Sequence, residues 1–155
     1  MNRPCDFCWF LLASFAEIAL YPEVLFSGKS GRNALMDIRL KRAYAEPSTS
    51  DGPRLLVDRI WPRGVAKEDA DIAHWLKGLA PSTELRKWFG HDPEKWPEFR
   101  ERYLEELTSG DASEDLEALK KLLEQHDRIT LVFAAKDTEH NNAVALRDYI
   151  LNDQL

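Results

Sequence analysis

A single α/β domain with a small, mainly parallel sheet and flanking helices is predicted by three features of the chain. Two apolar runs, Leu55-Leu56-Val57 and Ile129 to Ala135, have the length and β-branched or bulky content of buried strands. Each runs directly into a polar tract, Asp58 to Gly64 in the first case and Lys136 to Asn142 in the second. Between them lies a long stretch of helical patterns, and a long helical crossover favours parallel pairing of the strands it joins. Parallel pairing puts both polar tracts at one end of the sheet, where open α/β folds bind ligands.

In chain order, Asp37 to Lys41 alternates apolar and charged residues, as an edge strand does. Glu46 to Pro53 is a loop by composition. Arg54 to Ile60 reads as a central strand, stopped by Trp61-Pro62, because proline has no amide donor and holds the preceding residue extended. Gly64 lets the chain turn, so the loop carrying Arg63 is expected to be stiff. Four helical patterns precede the next strand. Ile72, Trp75, Leu76 and Leu79 have helical spacing, and Ser82 can cap a short helix presenting Leu85, Trp88 and Phe89. Asp92-Pro93-Glu94 opens a helix burying Trp96, Phe99, Tyr103 and Leu107. Ser113 opens one with Leu116, Leu119, Leu122 and Leu123 inward. His140 to Leu151 closes the domain as a helix, capped by Asp137 or Thr138.

The 155 residues suffice for one domain with its own core, and 44% hydrophobic with 31% charged residues is a globular composition. A net charge of -6 repels phosphate backbones and argues against broad nucleic-acid binding. Cys5 and Cys8 read as incidental thiols rather than as half of a zinc site, and the chain from Met36 onward has no cysteine nucleophile. The apolar segment Trp9 to Leu20 is too short and interrupted to span a membrane and makes a poor signal peptide, so a cytoplasmic location is expected. Residues 1–35 read as an extension and Met36 as the natural start of the domain at 36–155. The alternative is an N-terminal amphipathic helix packed on it.

The two tracts carry the candidate site. Arg59 and Arg63 have the planar fork that suits carboxylate or phosphate, and Lys136, Asn141 and Asn142 could complete an anion pocket at a helix start. Asp58 and His140 are the candidate proton carriers. Asp58 is equally readable as the partner of an arginine that pins the loop, and Asp137 and Lys136 as a cap and a solvated cation. Trp61 lies between the two arginines and outside any helical stripe, a candidate ligand wall. The other tryptophans of this region, Trp75, Trp88 and Trp96, read as core. His91 reads as a turn or cap residue, and His74 and His126 as solvated on helix surfaces. No zinc-protease, dinucleotide, phosphate-loop or serine-hydrolase motif occurs, so no cofactor or metal is assigned. The sequence carries no signature of oligomeric state.

The stretches Leu56 to Gly64, Leu79-Ala80-Pro81-Ser82 with Leu85 to Pro93, and Ala134 to Asp137 with His140 to Ala143 jointly resemble the YeaO-like family within domain of unknown function 488. The resemblance covers Met36 to the C-terminus and excludes residues 1–35. It implies a compact bacterial-type α/β protein without an established activity. Some relatives in the wider family carry a cysteine-containing tract after the last strand. Ala134-Ala135-Lys136 stands in that region here, so thiol chemistry does not transfer. The expected function is binding of a small anionic ligand with acid–base or phosphate-type chemistry. The alternative is a non-catalytic ligand-sensing or protein-interaction module.

Overall fold

A computed structural model describes residues 36–152. The expectations for residues 1–35 lie outside the described residues. Among the described residues, four strands form one parallel sheet in the order β1-β4-β2-β3: β1 is Asp37–Arg42, β2 Arg54–Leu56, β3 His74–Trp75 and β4 Arg128–Phe133. The helices are α1 (Lys67–Ala70), α2 (Thr83–Phe89), α3 (Trp96–Thr108), α4 (Ser113–Gln125) and α5 (Asn142–Leu151). The architecture is α/β, as expected. Leu55 pairs with Leu131 in parallel register, so the long crossover does bring the ends of β2 and β4 together.

Strand β4 is central, and five of its six residues are buried. Its polar member, Thr130, satisfies its hydroxyl by donating to the Asp51 carbonyl at 2.6 Å. The edge strand β1 is half-buried throughout, as its alternation implies. Leu55, Val57, Ile129, Leu131 and Phe133 point to the face where the apolar residues of α2 to α5 gather. Fully burying side chains of this size contributes roughly 1.5–3 kcal/mol each. The opposite face is a smaller cluster of Leu56, Val132 and Ala43 under Trp61, Ile72 and Trp75.

The helix expected over Ile72 to Leu79 does not form. Helix α1 ends at Asp71, a left-handed residue (φ 46°), and His74-Trp75 then pair with Leu55-Leu56 as β3. Ile72 and Trp75 belong to the smaller cluster, while Leu76 and Leu79 belong to the main core. The spacing 72, 75, 76, 79 fits one helical stripe, but here it serves two faces of a sheet. His74 is accordingly an exposed strand residue rather than a helical one. Strand β2 also ends sooner than expected, at Leu56, with Val57 adding one ladder bond to the Val132 carbonyl at 3.1 Å.

A charged network closes the amino-terminal end of the sheet. Buried Asp51 accepts from Arg54 Nη1 at 2.7 Å and Lys41 Nζ at 2.9 Å, and Arg54 Nε donates to the Ala70 carbonyl at 3.0 Å. Gly52 permits this close approach. It has φ 66°, and a Cβ there would sit 2.5 Å from the Arg128 carbonyl oxygen.

Candidate functional site

The opposite, carboxyl-terminal end of the sheet holds a pocket of about 350 Å³. Its scaffold is a stitch between the two polar tracts. Asp58 Oδ2 accepts from the Ala134 amide at 2.7 Å, just past the end of β4. Asn142 Nδ2 donates to the Val57 carbonyl at 2.9 Å and reaches Asp58 Oδ1 at 3.3 Å. Residues more than seventy positions apart in sequence are thereby fixed to one another. Burial pushes the Asp58 carboxyl above its usual range, against the lowering effects of the Ala134 and Asn142 hydrogen bonds and of the Arg86 and His91 charges.

Two tryptophans anchor the loop after β2. Trp61 Nε1 donates to the Val65 carbonyl and Trp75 Nε1 to the Asp58 carbonyl, each at 2.7 Å, and the two rings meet edge to face at 5.4 Å. Gly64, at φ 77°, makes the turn. Trp61 is thus held in place as one wall of the pocket.

Of the candidate residues, Asp58, Arg59, Trp61, Arg63, Asn141 and Asn142 line the pocket. Lys136, Asp137 and His140 do not. Asp137 builds a tight turn, its Oδ1 accepting from the amides of Glu139 (2.8 Å) and His140 (3.0 Å), which hold its carboxyl below the usual range. His140 Nδ1 lies 3.1 Å from Asp137 Oδ2, and its ring meets Trp96 edge-on at 5.4 Å. Lys136 is exposed. The cap of α5 is Asn141 rather than Asp137 or Thr138: its Oδ1 accepts from the Ala143 and Val144 amides at 2.9 and 3.1 Å. Those amides, which an anion at the helix start would use, are therefore already occupied.

Sequence reasoning missed a second contribution to the pocket wall, from α2 and its exit. Arg86 of α2 and His91 of the turn after it also line the pocket. Ser82 caps α2 through Leu85 N at 3.0 Å, Gly90 ends it at φ 55°, and His91 follows at φ 58°. A left-handed non-glycine residue costs on the order of 1 kcal/mol and occurs disproportionately at functional sites. The signal was present in the sequence, because Leu85 to Pro93 is one of the stretches that carries the family resemblance. Among the described residues, the side chains of Arg59, Arg63 and Arg86 make no hydrogen bond and no ion pair. No cluster of three or more metal-ligating side chains occurs among the described residues, and no described helix is long and apolar enough to cross a membrane.

Fold and pocket together define a one-sheet parallel α/β protein with a cationic crevice beyond the carboxyl ends of its strands. The chain belongs to the family described as the inactive DUF488-N3 subclade, whose model matches residues 37–155. It is similar to the uncharacterized protein YeaO of Escherichia coli, with 42% identity over 117 residues, 74% of this chain and 97% of that protein. It is also similar to the uncharacterized protein Rv3073c of Mycobacterium tuberculosis, 41% identical over 109 residues that cover 70% of this chain and 89% of that one. An uncharacterized protein of Mycobacterium bovis matches with the same figures. No solved structure matches the chain.

Proposed function

We propose that this protein binds a small anionic ligand in the pocket at the carboxyl end of its sheet and does not turn it over. The observation that carries this is the set of exposed arginines: among the described residues Arg59, Arg63 and Arg86 line one pocket without a side-chain hydrogen bond or salt bridge, Arg86 acting only at a distance on the Asp58 carboxyl, on a chain whose net charge is -6. All three are exposed, so an anion reaching the pocket meets a local positive field on an otherwise acidic surface, and each planar guanidinium suits carboxylate or phosphate. Arg63 and Arg86 clamp the anion from the β2 loop and from α2, with Arg59 adding positive charge. Asp58 and Asn142 act as struts that hold the two loops at the right separation.

Catalysis has one observation in its favour, since Asp58 lines the pocket and burial raises its pKa. Both its oxygens are already engaged with Ala134 and Asn142, however, which is the geometry of an anchor. The lining also has no serine, threonine or cysteine, and the subclade is described as inactive. Ligand sensing without turnover fits these facts best.

Calorimetric titration of the full chain with inorganic phosphate at low ionic strength tests the proposal. Binding is expected, with a loss of tenfold or more in Arg63→Gln and in Arg86→Gln, while Lys121→Gln on α4 changes nothing. Equal losses in all three variants, or no binding of phosphate, acetate and their aromatic counterparts alike, would refute it.

A further inference from the structure

We infer that the ligand carries a flat apolar body on its anionic group, so that the pocket takes an aromatic acid or an aromatic phosphomonoester rather than a bare inorganic anion. This rests on the anion-binding proposal above and adds the class of ligand.

Size is the first argument. Inorganic phosphate has five heavy atoms, and at no more than roughly 30 Å³ for each of them, the share of one liquid water, it fills about 150 Å³ and leaves half or more of the pocket empty. The pocket itself measures about 350 Å³, within the range of sites for small organic molecules.

Lining chemistry is the second argument. Phe89 and Phe99, each only 2% exposed and stacked on one another at 4.3 Å, reach the pocket from the core, and the pinned Trp61 ring forms a wall. These rings give an anion nothing to hold. The half-buried Trp61 ring, above a floor that the two phenylalanines close, is suited to a flat apolar group, which gains dispersion and ring–ring contact against it.

The mouth supplies the third, independent argument. Among the described residues only three large hydrophobic side chains are exposed, Tyr44 at 52%, Ile60 at 60% and Leu151 at 43%. Two of them, Tyr44 and Ile60, border this pocket. Ile60 stands between Arg59 and the pinned Trp61, where a polar residue would serve solubility better. An apolar body entering the pocket covers side chains that are otherwise left to water.

Matched pairs of probes separate the headgroup from the body: inorganic phosphate against phenyl phosphate, and acetate against benzoate, each titrated calorimetrically into the full chain. In at least one pair the ring is expected to tighten binding tenfold or more, which is about 1.4 kcal/mol. The pair that shows the gain tells a phosphoester ligand from a carboxylic one. Ile60→Ser, at an exposed position, is expected to bring the ratio within that pair towards one. Equal affinity for ring and headgroup in both pairs would overturn the inference and leave the anion-binding proposal standing. So would a ring gain untouched by Ile60→Ser. Failure of all four probes to bind would remove both.

Discussion

Asp58 separates a structural strut from a ligand-contacting acid, and two substitutions at this one position tell them apart. Asp58→Ala deprives the Ala134 amide of its acceptor at 2.7 Å, while Asn142 keeps its bond to the Val57 carbonyl at 2.9 Å. A partly buried donor left unsatisfied costs about 1–3 kcal/mol, and removing a desolvated carboxylate returns part of that. The net expectation is a loss of about 1–2 kcal/mol. Asp58→Asn keeps an oxygen for Ala134 and sheds the desolvation cost, but turns its NH2 towards the Asn142 donor at 3.3 Å, so its loss should be smaller than that of Asp58→Ala, about 1 kcal/mol or less. The same change removes a negative charge from the pocket. At a separation of about 8 Å and an effective dielectric of about 20–40, that is worth about 1–2 kcal/mol to a bound anion, or five- to thirtyfold in affinity. Urea unfolding followed by tryptophan fluorescence measures the first pair of numbers, and phosphate titration the last. An Asp58→Ala variant as stable as the parent, or an Asp58→Asn variant that binds phosphate more weakly, would refute the reasoning.

Further expectations concern other parts of the molecule. Asp51→Ala should cost about 3–5 kcal/mol in denaturant titration, because it strands Arg54, which is 1% exposed, and the Asp51→Ala/Arg54→Met pair should recover much of that loss. For Asp51, burial raises the carboxyl pKa, but the Lys41 and Arg54 hydrogen bonds outweigh it, and Asp137 is lowered by the His140 and Glu139 amides. Both groups therefore contribute stability that is present above the unfolded carboxylate value, near 3.9, and is lost as pH falls through their lower folded values. Asp58, with its raised value, acts in the opposite sense, its contribution falling as pH rises from the unfolded value towards the folded one. Asp58→Asn should flatten that part of the pH–stability curve in a thermal-unfolding series. A chain begun at Met36 should unfold as cooperatively as the full chain, since the described residues by themselves form a four-stranded sheet with a packed core, and a broadened transition would contradict this.

Much of the site was legible because its two loops follow apolar runs that admit only one role. Leu55 to Val57 and Ile129 to Phe133 have the length and content of buried strands, and a crossover of that length favours parallel pairing, which the register of β2 on β4 bears out. Strand β3 was hidden by an ambiguity of spacing, since Ile72, Trp75, Leu76 and Leu79 satisfy a helical period while two residues of pairing to Leu55-Leu56 decide the matter. The α5 cap was misassigned because Asp137, Thr138 and Asn141 are all competent caps. Asp137 is consumed by its own turn, which leaves the helix amides to Asn141. Arg86 and His91 escaped because the strand-end rule looks only at loops that follow strands. They come from a helix and its left-handed exit, whose position over the sheet is set by tertiary packing of Leu85 and Phe89.

Amide chemical-shift mapping of the full chain during titration with phenyl phosphate tests the central claim most directly. Shifts should concentrate in Asp58 to Gly64, Arg86 to His91 and Ala134 to Asn142, and saturate together with a single dissociation constant. Shifts scattered over surface lysines and arginines without saturation, or centred on the Asp51–Arg54 end of the sheet, would contradict a ligand site at the carboxyl ends of β2 and β4.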